Sequence, residues 1–347
     1  ISGTATEDQT LTASNTLADA DGMGAVSYQW QRDGVDIAGA TSSTYTLGDA
    51  DVGTTITVVA SYTDGQGTAE SVASAGVGPV ANVNDAPTGS VTISGTATED
   101  QILTASNTLA DADGMGVVSY QWQRDGVDIA GATASTYTLG DADVGTTITV
   151  VASYTDGEGA AESVSSTGVG PVININDVPA GLPVITGTVT EDQTLTADTS
   201  SISDDDGLGG FNYQWLRDGV AIAGATGSTY TLGDADVGTQ ISVQVSYTDA
   251  HSTAESVTSA QTSPVLNVND APGGSVAIDN NTPNEGDTLT ASNTLADADG
   301  MGAVSYQWQR DGVDIAGATA NTYTTVQADV GAVITVVASY TDGHGTA

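Results

Sequence analysis

The chain has 347 residues and carries 44 Asp and Glu side chains against four Lys and Arg, which gives a formal net charge of −40. Nucleic acid is excluded as a natural partner, and anionic membranes are disfavoured, because binding either requires basic side chains. The chain has no cysteine and therefore no disulfide, and no apolar run is long enough to span a membrane. A composition rich in Thr, Ser, Val, Ala and Gly favours β structure.

The excess of acids has two interpretations. A generally acidic surface suits a protein that works in salty water. Alternatively, the carboxylates cluster into sites for divalent cations, which neutralise a charge that would otherwise work against compactness. The placement of the acids along the chain decides between these interpretations.

A seven-residue sequence, Tyr-Gln-Trp-Gln-Arg-Asp-Gly, occurs four times, with Leu216 replacing the second Gln in the third copy. It contains every tryptophan of the chain, at Trp30, Trp122, Trp215 and Trp308, so the spacings are 92, 93 and 93 residues. A period of this length corresponds to a whole small domain. We therefore predict four tandem domains, at residues 1–84, 85–176, 177–269 and 270–347.

The second repeat is complete and predicts seven strands in chain order. Alternating apolar and polar residues, with turn signals about every 8 to 12 residues, mark these segments. They are residues 90–94, 102–109, 118–123, 127–129, 136–139, 147–154 and 161–175. Pro171, inside the last segment, indicates an edge position or a break in the strand.

The two ends of the chain fall inside predicted domains. Ile1 aligns with Ile93 inside the first strand, and the chain ends before the last strand of the fourth domain. Either the chain is cut from a longer array, or a neighbouring chain supplies the missing strand by β-augmentation. A strand of a second chain beside residues 335–340 would indicate the second case.

A tryptophan on the third strand and an Asp-x-Gly before the sixth resemble an immunoglobulin-type domain. The resemblance implies an all-β fold, a tandem array of four immunoglobulin-like antiparallel β-sandwich domains of about seven strands each. It implies that Trp122 packs between the sheets and that Ala105 and Ala152 fill the space of the antibody disulfide. The Asp-x-Gly aspartates are expected to hold a corner of each domain against its single Arg; they are Asp51, Asp143, Asp236 and Asp329.

The longer repeated text resembles the repeats of very large bacterial surface adhesins, including those of the RTX type. It runs from Tyr-x-Trp-x-Arg-Asp-Gly through Gly-Ala-Thr and Thr-Tyr-Thr to Ser-Tyr-Thr-Asp, and the resemblance covers the whole chain. It implies a segment of a secreted or surface-attached extracellular bacterial protein that takes part in adhesion or biofilm formation.

The order of the acids resembles that of cadherin repeats, which have a junction Asp-x-Asn-Asp-Asn, then a Glu, two acidic turns and a late Asp. Here the order is Asn82-x-Asn84-Asp85, Glu99, Asp111-x-Asp113, Asp141-x-Asp143 and Asp156. The chain departs from the cadherin pattern at the first junction position, which is Asn, and at the last, which is Ala86. The resemblance implies structural Ca²⁺ ions where one domain meets the next.

Calcium takes six to eight oxygen ligands, which no single loop of this chain supplies but two adjoining domains can. The same five acid types recur at all three junctions. The predicted ligands are Glu7, Asp85, Asp111, Asp113 and Asp156 at the first, Glu99, Asp177, Asp204, Asp206 and Asp249 at the second, and Glu191, Asp270, Asp297, Asp299 and Asp342 at the third. Carbonyl oxygens of Asn84, Asn176 and Asn269 are possible additions. Asp49, Asp141 and Asp234 are weaker candidates, because the fourth repeat has Gln327 there.

No catalytic constellation recurs, so we predict no enzyme. His251 and His344 occupy a turn position that holds Gln66 and Glu158 in the other repeats. We predict instead a structural extender whose partners are Ca²⁺ and the neighbouring repeats. The alternatives are the repeating subunit of an extracellular filament or sheath, in which identical chains pack together, and a module that binds carbohydrate or another cell. A halophilic acidic protein without specific ions is a further possibility.

Overall fold

The computed structural model describes residues 1–347, and every repeat is built from antiparallel strands. The chain divides into two compact units, Ile1–Ile175 and Asn176–Ala347, and each unit contains two of the repeats. The predicted all-β class is confirmed, and the only helical segments are single 3-10 turns. These turns lie at Asp49–Asp51, Asp141–Asp143, Asp234–Asp236 and Gln327–Asp329.

The first unit contains thirteen strands. Those of the first repeat are β1 (Thr10–Thr12), β2 (Ser27–Arg32), β3 (Val35–Asp36), β4 (Thr44–Thr46), β5 (Ile56–Thr63) and β6 (Ala69–Ala73). Those of the second are β7 (Val91–Ser94), β8 (Ile102–Asn107), β9 (Ser119–Arg124), β10 (Val127–Asp128), β11 (Thr136–Thr138), β12 (Ile148–Thr155) and β13 (Ala161–Ser165).

The second unit repeats this order of elements. The strands of the third repeat are β14 (Val184–Thr186), β15 (Thr194–Asp198), β16 (Asn212–Arg217), β17 (Val220–Ala221), β18 (Thr229–Thr231), β19 (Ile241–Thr248) and β20 (Ala254–Thr258). Those of the fourth are β21 (Val276–Ile278), β22 (Thr288–Asn293), β23 (Ser305–Arg310), β24 (Val313–Asp314), β25 (Thr322–Thr324) and β26 (Ile334–Ser339).

Each complete repeat is a sandwich of a three-stranded and a four-stranded sheet. In the second repeat the sheet orders are β11-β8-β7 and β10-β9-β12-β13. Trp122 on β9 lies opposite Val150 on β12 and is fully buried between the sheets. It stacks on Tyr137 with ring centroids 5.7 Å apart, and its indole N–H donates to the carbonyl of Ala134 over 2.9 Å. The largest core side chain therefore buries its one polar group with a partner.

The predicted long last strand of the second repeat is wrong in one respect, because it breaks after Ser165. The chain then forms isolated bridges, of which Val172 pairs in parallel with Val144. Pro171 has no backbone N–H to donate, and Gly170 adopts φ +143° with its Cα against the Thr146 carbonyl. A Cβ on Gly170 would lie 2.5 Å from that oxygen, so the break requires glycine. This segment leads the chain toward the following linker.

The structure contains no helix with the length and hydrophobicity that crossing a membrane requires. The apolar core of each repeat is small. In the second repeat it is formed by Leu103, Ala105, Leu139 and the inward side chains of β12 around Trp122. Ala105 and Ala152 are both buried, as expected for the space that a disulfide fills in antibody domains.

Candidate metal centres at the repeat junctions

Each repeat buries one aspartate in the corner that the 3-10 turn forms, and this acid has partners on every side. Asp51 Oδ1 accepts the Nε–H of Arg32 over 2.8 Å and lies 2.7 Å from its terminal nitrogen. Asp51 Oδ2 accepts the Tyr45 hydroxyl over 2.8 Å and the Gly48 N–H over 3.0 Å. The expectation that this aspartate pairs with the single Arg is confirmed. The other three corners are Asp143 with Arg124, Asp236 with Arg217 and Asp329 with Arg310.

A second group of acids surrounds the linker between the first and second repeats. Glu7 is 1% exposed, and its Oε2 accepts the N–H of Val83 over 3.2 Å. From the second repeat, Asp113 Oδ2 accepts the N–H of Asp85 over 2.8 Å. Glu7 of the first repeat and Asp113 of the second therefore accept hydrogen bonds from the same short linker, two residues apart.

These contacts bring carboxylates together without a basic residue. Glu7, Asp49 and Asp85 each place one oxygen so that all three lie within 4.8 Å of one another. The second oxygen of Glu7, Oε1, is buried and has no hydrogen-bond partner. Like charges at this separation repel strongly where water is excluded. A group of this kind can hold a metal ion.

The junction between the third and fourth repeats repeats this geometry. Glu191 Oε2 accepts the N–H of Val268 over 3.1 Å, and Asp299 Oδ2 accepts the N–H of Asp270 over 2.7 Å. Glu191, Asp234 and Asp270 place oxygens within 4.8 Å of one another, and Glu191 Oε1 is again buried without a partner. The two junctions share the linker sequence Asn-Val-Asn-Asp-Ala-Pro and adopt the same arrangement.

The loops at the top of the second repeat hold the remaining acids predicted for the first junction. Asp111 Oδ1 accepts the N–H of Asp113 over 3.0 Å, and its Oδ2 accepts the Tyr154 hydroxyl. Asp156 Oδ1 accepts two backbone N–H groups, from Glu158 and Ala160, and its buried Oδ2 has no partner. Asp111 therefore shapes the loop with both oxygens, whereas Asp113 and Asp156 keep one oxygen for another group. Asp297, Asp299 and Asp342 repeat these loop contacts in the fourth repeat.

The set predicted for the second junction is divided between the two compact units. In the first unit, Glu99 Oε2 accepts the N–H of Ile175 over 3.0 Å, as Glu7 does for Val83. In the second unit, Asp206 Oδ2 accepts the N–H of Asp177 over 2.7 Å. Asp206 Oδ1 is buried without a hydrogen-bond partner and lies 4.0 Å from His251 Nε2. The loop of this repeat also contains Asp204, whose Oδ1 accepts the N–H of Asp206, and Asp249, whose Oδ2 has no partner.

Two of the weaker candidates, Asp49 and Asp234, lie in the three-carboxylate groups. The amide of Asn82 also reaches the first group, within 2.8 Å of Asp113 Oδ1. The recurrence of Asn at this linker position was the available signal. By contrast, Asn84 is exposed, and its amide donates to Glu162 Oε1 over 2.7 Å.

Burial and like charges disturb the titration of these acids. Burial raises the pKa of Glu7, and the nearby Asp49 and Asp113 raise it further, against the opposing effect of the Val83 N–H. Burial raises the pKa of Asp85 as well, with Asp113 and Asp49 adding to the effect. Glu191 and Asp270 show the same upward shifts at the third junction. The folded chain therefore resists full ionisation of the junctions unless a positive charge joins them.

Comparison with known proteins gives fold likeness only. No family model matches the chain, and no curated protein matches it significantly. A Ca²⁺-stabilised adhesin with which an Antarctic bacterium reaches out and binds ice is 14% identical, with 98% of this chain and 91% of that chain covered and a TM-score of 0.32. A tetra-tandem repeat from the extending region of a large adhesion protein is 18% identical, with 99% and 93% covered and a TM-score of 0.31.

Domains A168–A170 of titin are also similar, at 12% identity, 69% and 88% coverage and a TM-score of 0.22. The first two structures come from adhesion proteins, the class that the sequence resembles. At these identities and TM-scores, the likenesses carry no argument about what this chain binds, which depends on its own residues.

Proposed function

We propose that this chain is a structural extender segment of a secreted bacterial surface adhesin, and that Ca²⁺ at its repeat junctions stiffens it. One observation carries the proposal: consecutive repeats place buried carboxylates on one linker, and an oxygen such as Glu7 Oε1 is left without a donor. A buried acceptor without a partner costs about 1–3 kcal/mol, and more if it is charged. A bound cation removes that cost.

The chemistry of the ligands favours calcium over other cations. Every candidate ligand is a hard oxygen, from Glu7, Asp49, Asp85, Asp113 or the Asn82 amide at the first junction. Calcium accepts many oxygens in irregular geometry, whereas Mg²⁺ demands a small octahedral shell and keeps its waters. We assign Asp113 and Asp156 of the upper loops as further ligands, and Asp111 as the residue that orients them.

The functional consequence is a stiff, extended array of repeats. Without a cation, the carboxylates of Glu7, Asp49 and Asp85 repel one another and the linker is free to bend. With calcium, ligands from two repeats share one ion, so bending requires breaking metal–ligand bonds. Because the ion binds only the assembled junction, it also stabilises that junction by mass action. A string of such repeats would hold a terminal binding region away from the cell, for adhesion or biofilm formation.

The decisive experiment compares the full chain in chelator and in millimolar calcium at fixed ionic strength, by thermal unfolding and small-angle X-ray scattering. We expect calcium to raise the melting temperature and lengthen the particle, and magnesium or sodium at equal ionic strength to do much less. Recovery of order in concentrated sodium chloride without any calcium effect would contradict the proposal and indicate a merely acidic surface. A particle mass, derived from the scattering, that increases with protein concentration would instead favour a filament subunit.

Matched variants locate the effect. The triple substitution Glu7→Gln, Glu99→Gln and Glu191→Gln removes one buried charge at each linker and should abolish most of the calcium response. The triple substitution Asp36→Asn, Asp128→Asn and Asp314→Asn removes the same charge from exposed strand positions. The second variant should respond to calcium like the parent chain. Equal responses of the two triple variants would place the ions elsewhere.

A further inference from the structure

The linker amide of Asn82 lies inside the first carboxylate group. One of its two terminal atoms is 2.8 Å from Asp113 Oδ1 and 3.2 Å from Glu7 Oε2. Those two carboxylates belong to different repeats, so the amide bridges them across the junction.

The same amide is unsatisfied at the equivalent linker positions. The Oδ1 atoms of Asn174 and Asn267 are buried and have no hydrogen-bond partner. All three residues precede the exposed Asn of the linker by two positions, in Asn82-x-Asn84, Asn174-x-Asn176 and Asn267-x-Asn269. A buried amide oxygen without a donor requires a positive partner or a rotation of the amide.

A side-chain amide can serve the junction both without and with a cation. Rotation about one bond exchanges the positions of its oxygen and its nitrogen. With the nitrogen inward, Asn82 donates two hydrogen bonds, to Asp113 and to Glu7, and holds the two repeats together. With the oxygen inward, Asn82 offers a neutral ligand to a cation held by the same carboxylates. Both orientations fit the same backbone.

We infer that Asn82 is an amide switch, which bridges Asp113 and Glu7 in the absence of calcium and ligates the ion in its presence. We extend the inference to Asn174 and Asn267, which occupy the same position in their own linkers. This inference rests on the proposed function. It explains why the position holds Asn where the cadherin-type junction has Asp. An Asp would bind calcium more tightly, but it would add a further buried charge to the empty junction. The neutral amide weakens calcium binding and preserves part of the junction without the ion.

Two triple variants of the full chain test both parts of the inference, the amide bridge in chelator and the amide ligand in calcium. In chelator, changing Asn82, Asn174 and Asn267 together to Asp, or together to Ala, should lower the melting temperature by about 4 °C, because both lose the bridge. In calcium titrations the two variants should diverge. The Asp variant should bind about tenfold more tightly and the Ala variant about tenfold more weakly, because the number of charged ligands sets the affinity.

The matched control changes Thr41, Thr133 and Thr226 together to Asp. It adds the same three charges at exposed turn positions outside the linkers. Its calcium midpoint should stay within about twofold of the parent chain, since charge alone does not create a ligand. A control that tightens as much as the first Asp variant would overturn the assignment of the ligand.

A direct readout uses the parent chain alone. Side-chain NH₂ signals of the three linker residues should exchange slowly with solvent in chelator and faster in calcium, as the nitrogen turns outward. Unchanged amide signals through a calcium transition, or Asp and Ala variants that both match the parent, would overturn the switch and leave the proposed function standing. A parent chain without any calcium response would overturn the proposed function and the ligand half of the switch together.

Discussion

Each of the first three repeats buries acids in two places, and the two places differ in where the compensating charge comes from. In the corner, Asp51 receives the Arg32 guanidinium, the Tyr45 hydroxyl and a backbone N–H, so both oxygens are satisfied within the repeat. At the junction, Glu7 receives one backbone N–H, and its other oxygen is buried without a partner. The corner carries its own cation, whereas the carboxylate group at the first junction contains no basic residue. If the junction takes its cation from solution, as proposed, then the stability of a repeat and the connection between repeats are independent.

The largest effect should come from breaking the corner. Asp51→Ala leaves Arg32 and Tyr45 without their buried acceptor and should destabilise the first repeat by about 3 kcal/mol, in the lower part of the range for broken buried pairs because Arg32 is partly exposed. Amide hydrogen exchange, resolved by repeat, measures the loss. Asp36→Ala, at an exposed position, is the control and should cost less than about 0.5 kcal/mol. The loss of stability should be the same in calcium and in chelator. A loss that calcium reverses would show that the corner and the junction are not independent.

A second prediction gives the junction an internal cation. Asp49 is exposed at the edge of the group that contains Glu7 and Asp85, and the fourth repeat tolerates Gln327 at this position. Asp49→Lys should place an ammonium among the carboxylates and stabilise the first junction in chelator by about 1–2 kcal/mol, while that junction loses its calcium response.

Asp36→Lys makes the same charge change on an exposed strand and serves as its control. Exchange of the Val83 and Asp85 amides, in chelator and in calcium, reports on the first junction alone. A variant that still needs calcium to protect these amides would show that charge neutralisation is not what the junction lacks.

The regions also differ in how far sequence alone reveals them. The corner could be predicted, because the Asp-x-Gly and the single Arg of each repeat are both unmistakable in a chain with so few basic residues. The sandwich followed from alternation along β9 and β12. Pro171 indicated a break as one alternative, but the sequence did not show that pairing ends as early as Ser165 or that Gly170 approaches the Thr146 carbonyl. Asn82 was not predicted as a ligand, although Asn84 was named as a possible one, because the sequence does not show which of the two amides lies beside Asp113 and Glu7.

A smaller effect should come from the residue that orients the upper loop. The Tyr154 hydroxyl donates to Asp111 Oδ2, while Asp111 Oδ1 receives the N–H of Asp113. Tyr154→Phe should cost about 1 kcal/mol and weaken calcium binding at the first junction several-fold, because Asp113 loses its support. Tyr62→Phe removes the matching bond to Asp19 in the first repeat, where Asp21 is exposed. It should have a similar cost without any change in calcium midpoint; equal changes in both variants would remove Asp111 from the site.

The smallest effect, dependence on pH, should have opposite signs in the two regions. Burial, followed by neighbouring carboxylates, raises the pKa of Glu7 and Glu191 above the usual 4.5. Their folded forms hold protons more tightly than the unfolded chain, so in chelator the junctions should lose stability as pH rises from about 4.5 through the raised values. Asp329 in the corner is the reverse case. Although burial opposes it, hydrogen bonds from Val326, Tyr323 and Arg310 hold its pKa below the usual 3.8.

The corner's contribution should therefore be complete above pH 3.8 and disappear as pH falls through the lowered value. Calcium should invert the behaviour of the junctions, because ion and proton compete for the same oxygens and the ion requires ionised carboxylates. Amide hydrogen exchange, resolved by repeat and recorded from pH 3 to 7 in chelator and in calcium, measures these pH dependences. They are those of the corner, of the junctions in chelator and of the junctions in calcium. Glu7→Gln with Glu191→Gln should flatten only the junction slopes. A junction that is insensitive to pH in chelator would mean that its carboxylates do not repel one another, and the need for an external cation would then have no electrostatic basis.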